Sequence, residues 1–187
     1  SSDRGSIGRN FSEPESAALL GDAAAAIIIE PSNTSGLLNY KMETFPEGAL
    51  FTQVKGGGTY RHPDNPKTLD QDHYFTMSGP KVYKMARKKV YNMIGESLSK
   101  NNLNVRDIDL VIPHQASGTA IKAYSKFGGF DEDKVINIIG DYGNCVSASI
   151  PLALCIAIKE NKLQRGNLAM MIGTGAGLSV ASAIIKF

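Results

Sequence analysis

DLVIPHQASGTAIKAYSKFGGFDEDKVINIIGDYGNCVSASIPLALCIAIKENKLQRGNLAMMIG, residues 109–173, carries the alternation that decides the fold. Short apolar runs at 109–113 (DLVIP), 135–139 (VINII) and 167–173 (NLAMMIG) read as strands. The stretches between them, 116–127 and 146–162, have the length and spacing of helices. This βαβαβ order predicts a parallel sheet, because strands joined by helical crossovers run side by side in one direction. The second helix stands apart: CVSASIPLALCIAI is apolar on nearly every side, and a helix without a polar face must be covered all round. It is expected between two layers. A single sheet of this size covers one side, so another half, or another subunit, is expected against the other.

Working outward, LSVASAIIKF at 178–187 adds a strand joined to the last one by the glycine loop GTGAG. Upstream, the spacing of Val82, Met85, Val90, Met93 and Leu98 predicts a helix over 76–100, with Ser78 as N-cap and Pro80 in its first turn. Residues 45–75, with Gly56-Gly57-Gly58 and little periodicity, read as a surface or active-site excursion. AAAAIIIE at 23–30 reads as a strand, PSNTSG as its turn and LLNYKMET as its hairpin partner. Residues 1–20 are polar, and no repeat or linker divides the chain, so 1–187 counts as one unit.

Composition narrows the partners. The chain has 187 residues, 42% hydrophobic and 20% charged, with a net charge of +2, which is ordinary for a globular domain and gives no reason to expect nucleic acid. No apolar run approaches the ~18 residues of a membrane span, and no basic segment with an apolar core opens the chain as a secretory signal would. The chain does not begin with Met, which leaves a processed product and an excised piece both open. Cys145 and Cys155 suit neither a disulfide nor a metal pair, so free thiols in a reducing, cytoplasmic compartment are expected.

The chemistry sits at strand ends, where ligands gather in open α/β sheets. The first strand of the opening stretch ends in Pro113-His114, and the second runs into Gly143-Asn144. A lone histidine there reads first as a structural residue capping the helix that follows. Here His114 and Asn144 are expected at one edge of the sheet, and two N–H donors of little net charge suit a developing oxyanion better than a metal. The third strand ends in Gly173-Thr174-Gly175-Ala176-Gly177, whose small residues let backbone amides approach a ligand closely, although a plain hairpin would use them too.

The segments HQASGTAIKAYSKFG, GDYGNCVSASIPLAL and GTGAGLSVASAIIKF resemble the C-terminal half of 3-oxoacyl-(acyl carrier protein) synthase III, in the thiolase superfamily. LLGDAAAAIIIE and GPKVYKMARKKV are similar to the family's glycine-rich strand and following helix, so the resemblance covers most of the chain and is weakest over 45–75. It implies an α/β fold, the C-terminal half of a thiolase-like fold with a five-stranded mixed sheet and helices on both faces. It implies a decarboxylative Claisen condensation in fatty acid biosynthesis between an acyl thioester and malonyl-acyl carrier protein, with acyl-CoA as primer source, no resident cofactor and no metal. By this likeness His114 and Asn144 are the catalytic pair for the malonyl thioester oxygen, the Ala176 amide belongs to the acyl oxyanion hole, and Gly175, Gly177 and Ser117 line the substrate. The family's cysteine nucleophile lies in its N-terminal half, so Cys145 and Cys155 are expected to be packing residues. A homodimer is implied for the full-length form.

Departures bear on partners. Ala23 and Ala25 replace glycines, Ser117 replaces the Asn after HQA, and Thr119 stands where a basic residue helps dock acidic carrier protein. Lys122 and Lys126, one helical turn apart, read equally as its replacement and as a plain solvated face. Other readings are a secondary-metabolite relative with another starter, a non-catalytic partner subunit, and a zinc hydrolase using His62, His73 and His114, whose spacing matches no ligand motif.

Overall fold

The computed structural model describes residues 1–187. The chain runs through β1 (Ser2–Arg4), the turn α1 (Pro14–Ala17), β2 (Asp22–Ala24), β3 (Gly36–Thr44) and the two-residue strands β4 (Thr52–Gln53) and β5 (Thr76–Met77). It continues through α2 (Gly79–Lys100), β6 (Leu110–Pro113), α3 (Gly118–Gly128), the turn α4 (Ile139–Tyr142), α5 (Ser149–Lys159), β7 (Leu168–Gly175) and β8 (Ser179–Lys186).

The main sheet has the order β3-β8-β7-β6. β6 and β7 run parallel, whereas β8 lies antiparallel to both β7 and β3, so the sheet is mixed. Every residue of β6 is buried, as an apolar strand covered on both faces requires. On one face, Val90, Met93, Ile94 and Leu98 of α2 and Ile121 and Tyr124 of α3 pack with Val111, Met170, Ile172, Val180 and Ile184. On the other, Ala153, Leu154 and Ala157 of α5 pack with Leu110, Ile112 and Ala169. Helices therefore flank both faces, as expected.

The strand expected at 135–139 is reduced to one rung, in which Val135 pairs in parallel with Val111 and the Ile136 N–H donates to the Val111 carbonyl at 3.0 Å. Pro113, on the facing strand, has no N–H with which to continue the ladder. The sheet thus has four strands and a one-rung fifth. A second difference concerns AAAAIIIE: only Asp22–Ala24 is a strand, and it pairs with β1 rather than with LLNYKMET. LLNYKMET instead pairs with β8 along its length, because β8 offers a long free edge beside β7, whereas β1 lies ready for the short segment. Ile28 and Ile29 are 94% and 91% exposed, so this apolar run has no cover within the chain.

Helix 146–162 is shorter than its pattern suggests, with a tight turn at Val146–Ala148 and α-helix from Ser149 to Lys159. The helices expected at 76–100 and 116–127 begin at Gly79 and Gly118, and Ser78 makes no side-chain cap bond. The second layer expected over α5 is absent from this chain. Leu152 and Ile156 are only partly buried. Tyr40 and Met42, whose β8 partners Ala183 and Ala181 share the sheet face of α5, are 74% and 73% exposed.

Candidate active site

His114 follows β6 directly, and its N–H donates to the Ile172 carbonyl at 2.8 Å, locking the strand end to β7. Gly173 is what allows the side chain to sit there: a Cβ at 173 would lie 3.3 Å from His114 Cβ and 3.0 Å from Ile150 Cδ1. The first turn of α5 and the histidine thus meet over one glycine at the end of β7. Burial disfavours the charged imidazolium and pushes the His114 pKa from 6.5 down to about 4. His114 is therefore a neutral imidazole at physiological pH, with one N–H donor and one bare nitrogen.

That shift predicts a pH signature. The unfolded chain takes up the imidazole proton before the folded one does, so the stability associated with neutral His114 is complete above pH 6.5 and drains as pH falls toward about 4. Urea midpoints of the wild type and of His114→Ala are expected to converge as pH drops from about 7 to about 5, with wild type losing more. A constant difference across that range would contradict a partly buried histidine kept neutral by desolvation.

Asn144 is held by backbone pairing to the segment before β2. Its N–H donates to the Leu19 carbonyl at 2.6 Å, and the Gly21 N–H donates to the Asn144 carbonyl at 2.9 Å. The side-chain Oδ1 accepts from the Val146 N–H at 3.0 Å, which leaves the Nδ2 donors free. Val146 adopts φ 49°, a conformation β-branched residues rarely take, and its bond to Asn144 is part of what holds it there. The loop carrying Asn144 leads through Val146–Ala148 into α5, whose Ile150 stands against Gly173 beside His114.

β7 and β8 are joined by a turn over Ala176–Leu178, pinned by reciprocal bonds between Phe45 and Leu178 at 2.7 and 3.1 Å. Gly175 pairs with Ser179 and Gly177 takes φ 133°, so both glycines shape this turn. Ala176 is exposed, and its N–H donates to no protein acceptor. Ser117 serves the scaffold, since its Oγ caps α3 by accepting from the Ala120 N–H at 3.2 Å. Lys122 and Lys126 are exposed on α3.

Gln115 escaped the sequence reading. It is fully buried, its Nε2 donates to the carbonyls of Pro113 (2.9 Å) and Ile136 (3.2 Å), and its Oε1 accepts from the Ile138 N–H at 2.9 Å. The only signal in the sequence was a long amide side chain two residues past the strand end.

Neither cysteine is placed as a nucleophile. Cys145 is buried, its thiol donates to the Tyr142 carbonyl at 3.2 Å, and burial followed by the charges of Asp22 and Asp3 pushes its pKa up. Cys155 lies on α5 against the Ala26 carbonyl. His62 faces Asp64 at 3.5 Å and His73 sits against Gly56, and no three His, Cys, Asp or Glu side chains are arranged to hold a metal ion. The excursion over 45–75 lines a cavity of about 550 Å³ with Asn10, Glu13, Lys55 and Asp70, and neither His114 nor Asn144 borders it.

Residues 98–187 match the family model described as 3-oxoacyl-[acyl-carrier-protein (ACP)] synthase III C terminal. The chain is similar to the beta-ketoacyl-[acyl-carrier-protein] synthase III of Clostridioides difficile, with 36% identity over 179 residues, covering 95% of this chain and 54% of that protein. The 3-oxoacyl-[acyl-carrier-protein] synthase III structure from Aquifex aeolicus superposes with a TM-score of 0.72 at 28% identity, covering 84% of this chain and 46% of that one. The Pseudomonas aeruginosa structure of the same description has the same fold, with a TM-score of 0.83 at 22% identity over 100% of this chain and 56% of its own. The chain thus spans about half the length of the curated relatives it matches.

Proposed function

This chain belongs to the 3-oxoacyl-(acyl carrier protein) synthase III family as its C-terminal half, and we propose that it supplies the decarboxylation side of a carbon–carbon bond-forming site. Malonyl thioester loses CO2, the electron pair of the broken bond passes into an enolate, and the enolate oxygen accepts hydrogen bonds from the His114 imidazole N–H and Asn144 Nδ2. The enolate carbon then attacks an acyl thioester on a cysteine supplied from outside residues 1–187. The oxyanion formed there accepts from the Ala176 N–H, and collapse releases the cysteine thiolate. The observation that carries this reading is the pair of neutral donors: His114 is held uncharged by burial, and Asn144 presents only N–H because Oδ1 is committed to Val146. Neutral donors stabilise an enolate without a charged group having to be desolvated beside it.

The substrates proposed are an acyl-CoA primer and malonyl-acyl carrier protein, with no resident cofactor. An acidic carrier would dock on the exposed corner of α2 and α3, where the Lys126 ammonium and the Arg87 guanidinium lie 5.1 and 5.4 Å from the ring centre of half-exposed Phe127, and Lys122 adds a third positive charge. The bare apolar side of α5, with Tyr40 and Met42 beside it, suits the half that the relatives have in addition. A cytoplasmic homodimer is the assembly proposed for such a complete synthase. No helix is long and apolar enough to cross a membrane.

The test is a complete synthase carrying this chain as its C-terminal half, incubated with a panel of acyl-CoA primers and malonyl-acyl carrier protein. A covalent acyl-cysteine outside residues 1–187 and a 3-oxoacyl product are expected, and residues 1–187 alone should give no condensation. Turnover by the isolated chain, or acylation of Cys145 or Cys155, would overturn the assignment.

A further inference from the structure

A proline in the interior of a sheet leaves a gap in the ladder that something must fill. β6 is interior, with β7 on one side and residues 135–138 on the other. Its residues alternate in direction: the His114 N–H bonds toward β7, whereas the Val111 carbonyl bonds toward Ile136. In that parallel register the next rung would take the N–H of residue 113 to the Ile136 carbonyl, and the Ile138 N–H to the carbonyl of residue 113. Pro113 cannot make the first of these.

The Gln115 side chain occupies this gap. Its Nε2 serves the Ile136 carbonyl that Pro113 cannot reach and also the Pro113 carbonyl, while its Oε1 takes the Ile138 N–H. All three backbone groups of the missing rung are satisfied by one carboxamide at a site with no solvent access. We infer that Gln115 is a positioning residue whose amide replaces a rung of the sheet and so ties the end of β6, which carries His114, to the segment leading to Asn144. This inference rests on the role proposed above for His114 and Asn144.

The experiment is a mutant cycle in the complete synthase. Gln115→Met keeps length and loses every hydrogen bond. It is expected to lower kcat for malonyl decarboxylation about 10²-fold, the scale of a small misplacement of reacting groups, with KM changed less than about twofold. Pro113→Ala restores a backbone N–H. In the double variant Pro113→Ala/Gln115→Met, that N–H can reach the Ile136 carbonyl directly, and kcat is expected to recover at least about tenfold over Gln115→Met.

Full activity in Gln115→Met, or a double variant no better than it, would overturn the inference, because a side chain that merely fills the core has no reason to be rescued by a backbone N–H two residues away. Should Gln115→Met fail to fold, recovery of cooperative unfolding in the double variant supports the rung and continued failure rejects it. If the wild type shows no decarboxylation, the proposed function falls, and amide exchange at Ile138 decides the rung alone. Faster exchange in Gln115→Met with protection restored in the double variant upholds it, and unchanged exchange sinks it.

Discussion

His114→Ala and Asn144→Ala, each in a complete synthase, are expected to lower malonyl decarboxylation by about 10²–10³-fold, the range found when one oxyanion donor is removed. In the proposed mechanism each side chain supplies a donor that gains strength only as the enolate forms, so the loss should fall on kcat with little change in KM. The proposed mechanism assigns neither group to acylation of the cysteine, so single-turnover acyl transfer from the primer should stay measurable in both variants. Loss of acylation with decarboxylation intact would reverse the roles. The two residues also differ in what replacement does to the scaffold. Asn144 pairs with Leu19 and Gly21 through its backbone, which alanine preserves, but alanine frees the Val146 N–H. Asn144→Asp spares the Val146 bond, since a carboxylate still accepts from that N–H, but it offers no N–H to the enolate and sets a negative charge beside it. It should be at least as inactive as alanine.

The proposed donor pair stood out because both residues stand beside glycine or proline at the ends of apolar runs, where sequence marks a strand end. The strands at 109–113 and 167–173 were legible for the same reason, and so was LLNYKMET as a strand. Its partner was not, because an alternating apolar run declares its faces but not which edge it will join, and β8 competed with AAAAIIIE for it. VINII has strand composition but keeps only one rung. Pro113 was in plain view, but whether its missing N–H would face β7 or residues 135–138 depends on the direction of alternation in three dimensions. Gln115 was hidden for the same reason, because its role exists only once that gap exists. For Ser117, likeness to a family suggested substrate contact, and the structure adds that its Oγ caps α3.

Among the glycines, likeness to the family drew attention to Ala23 and Ala25, where glycines have been replaced. The demanding position is the glycine that remains. A Cβ on Gly21 would lie 1.8 Å from the Tyr142 carbonyl oxygen, 3.0 Å from its carbon and 3.3 Å from Cys145 Sγ. The first two contacts are backbone and cannot rotate away. They belong to the loop that carries Asn144, and the Gly21 N–H is itself bonded to the Asn144 carbonyl. Gly21→Ala must therefore push apart the two segments whose pairing fixes Asn144, and it is expected to cost at least about 3 kcal/mol, the upper part of the range for overpacking. The denaturant midpoint of the complete synthase should fall accordingly, with Gly36→Ala, where a Cβ would meet nothing within 4 Å, as the control. Where Gly21→Ala still folds, decarboxylation should drop with it, because Asn144 Nδ2 moves with its backbone while His114, anchored to Ile172, does not. A Gly21→Ala protein with wild-type stability and decarboxylation would mean that the approach of residue 21 to Tyr142 is looser than 1.8 Å requires.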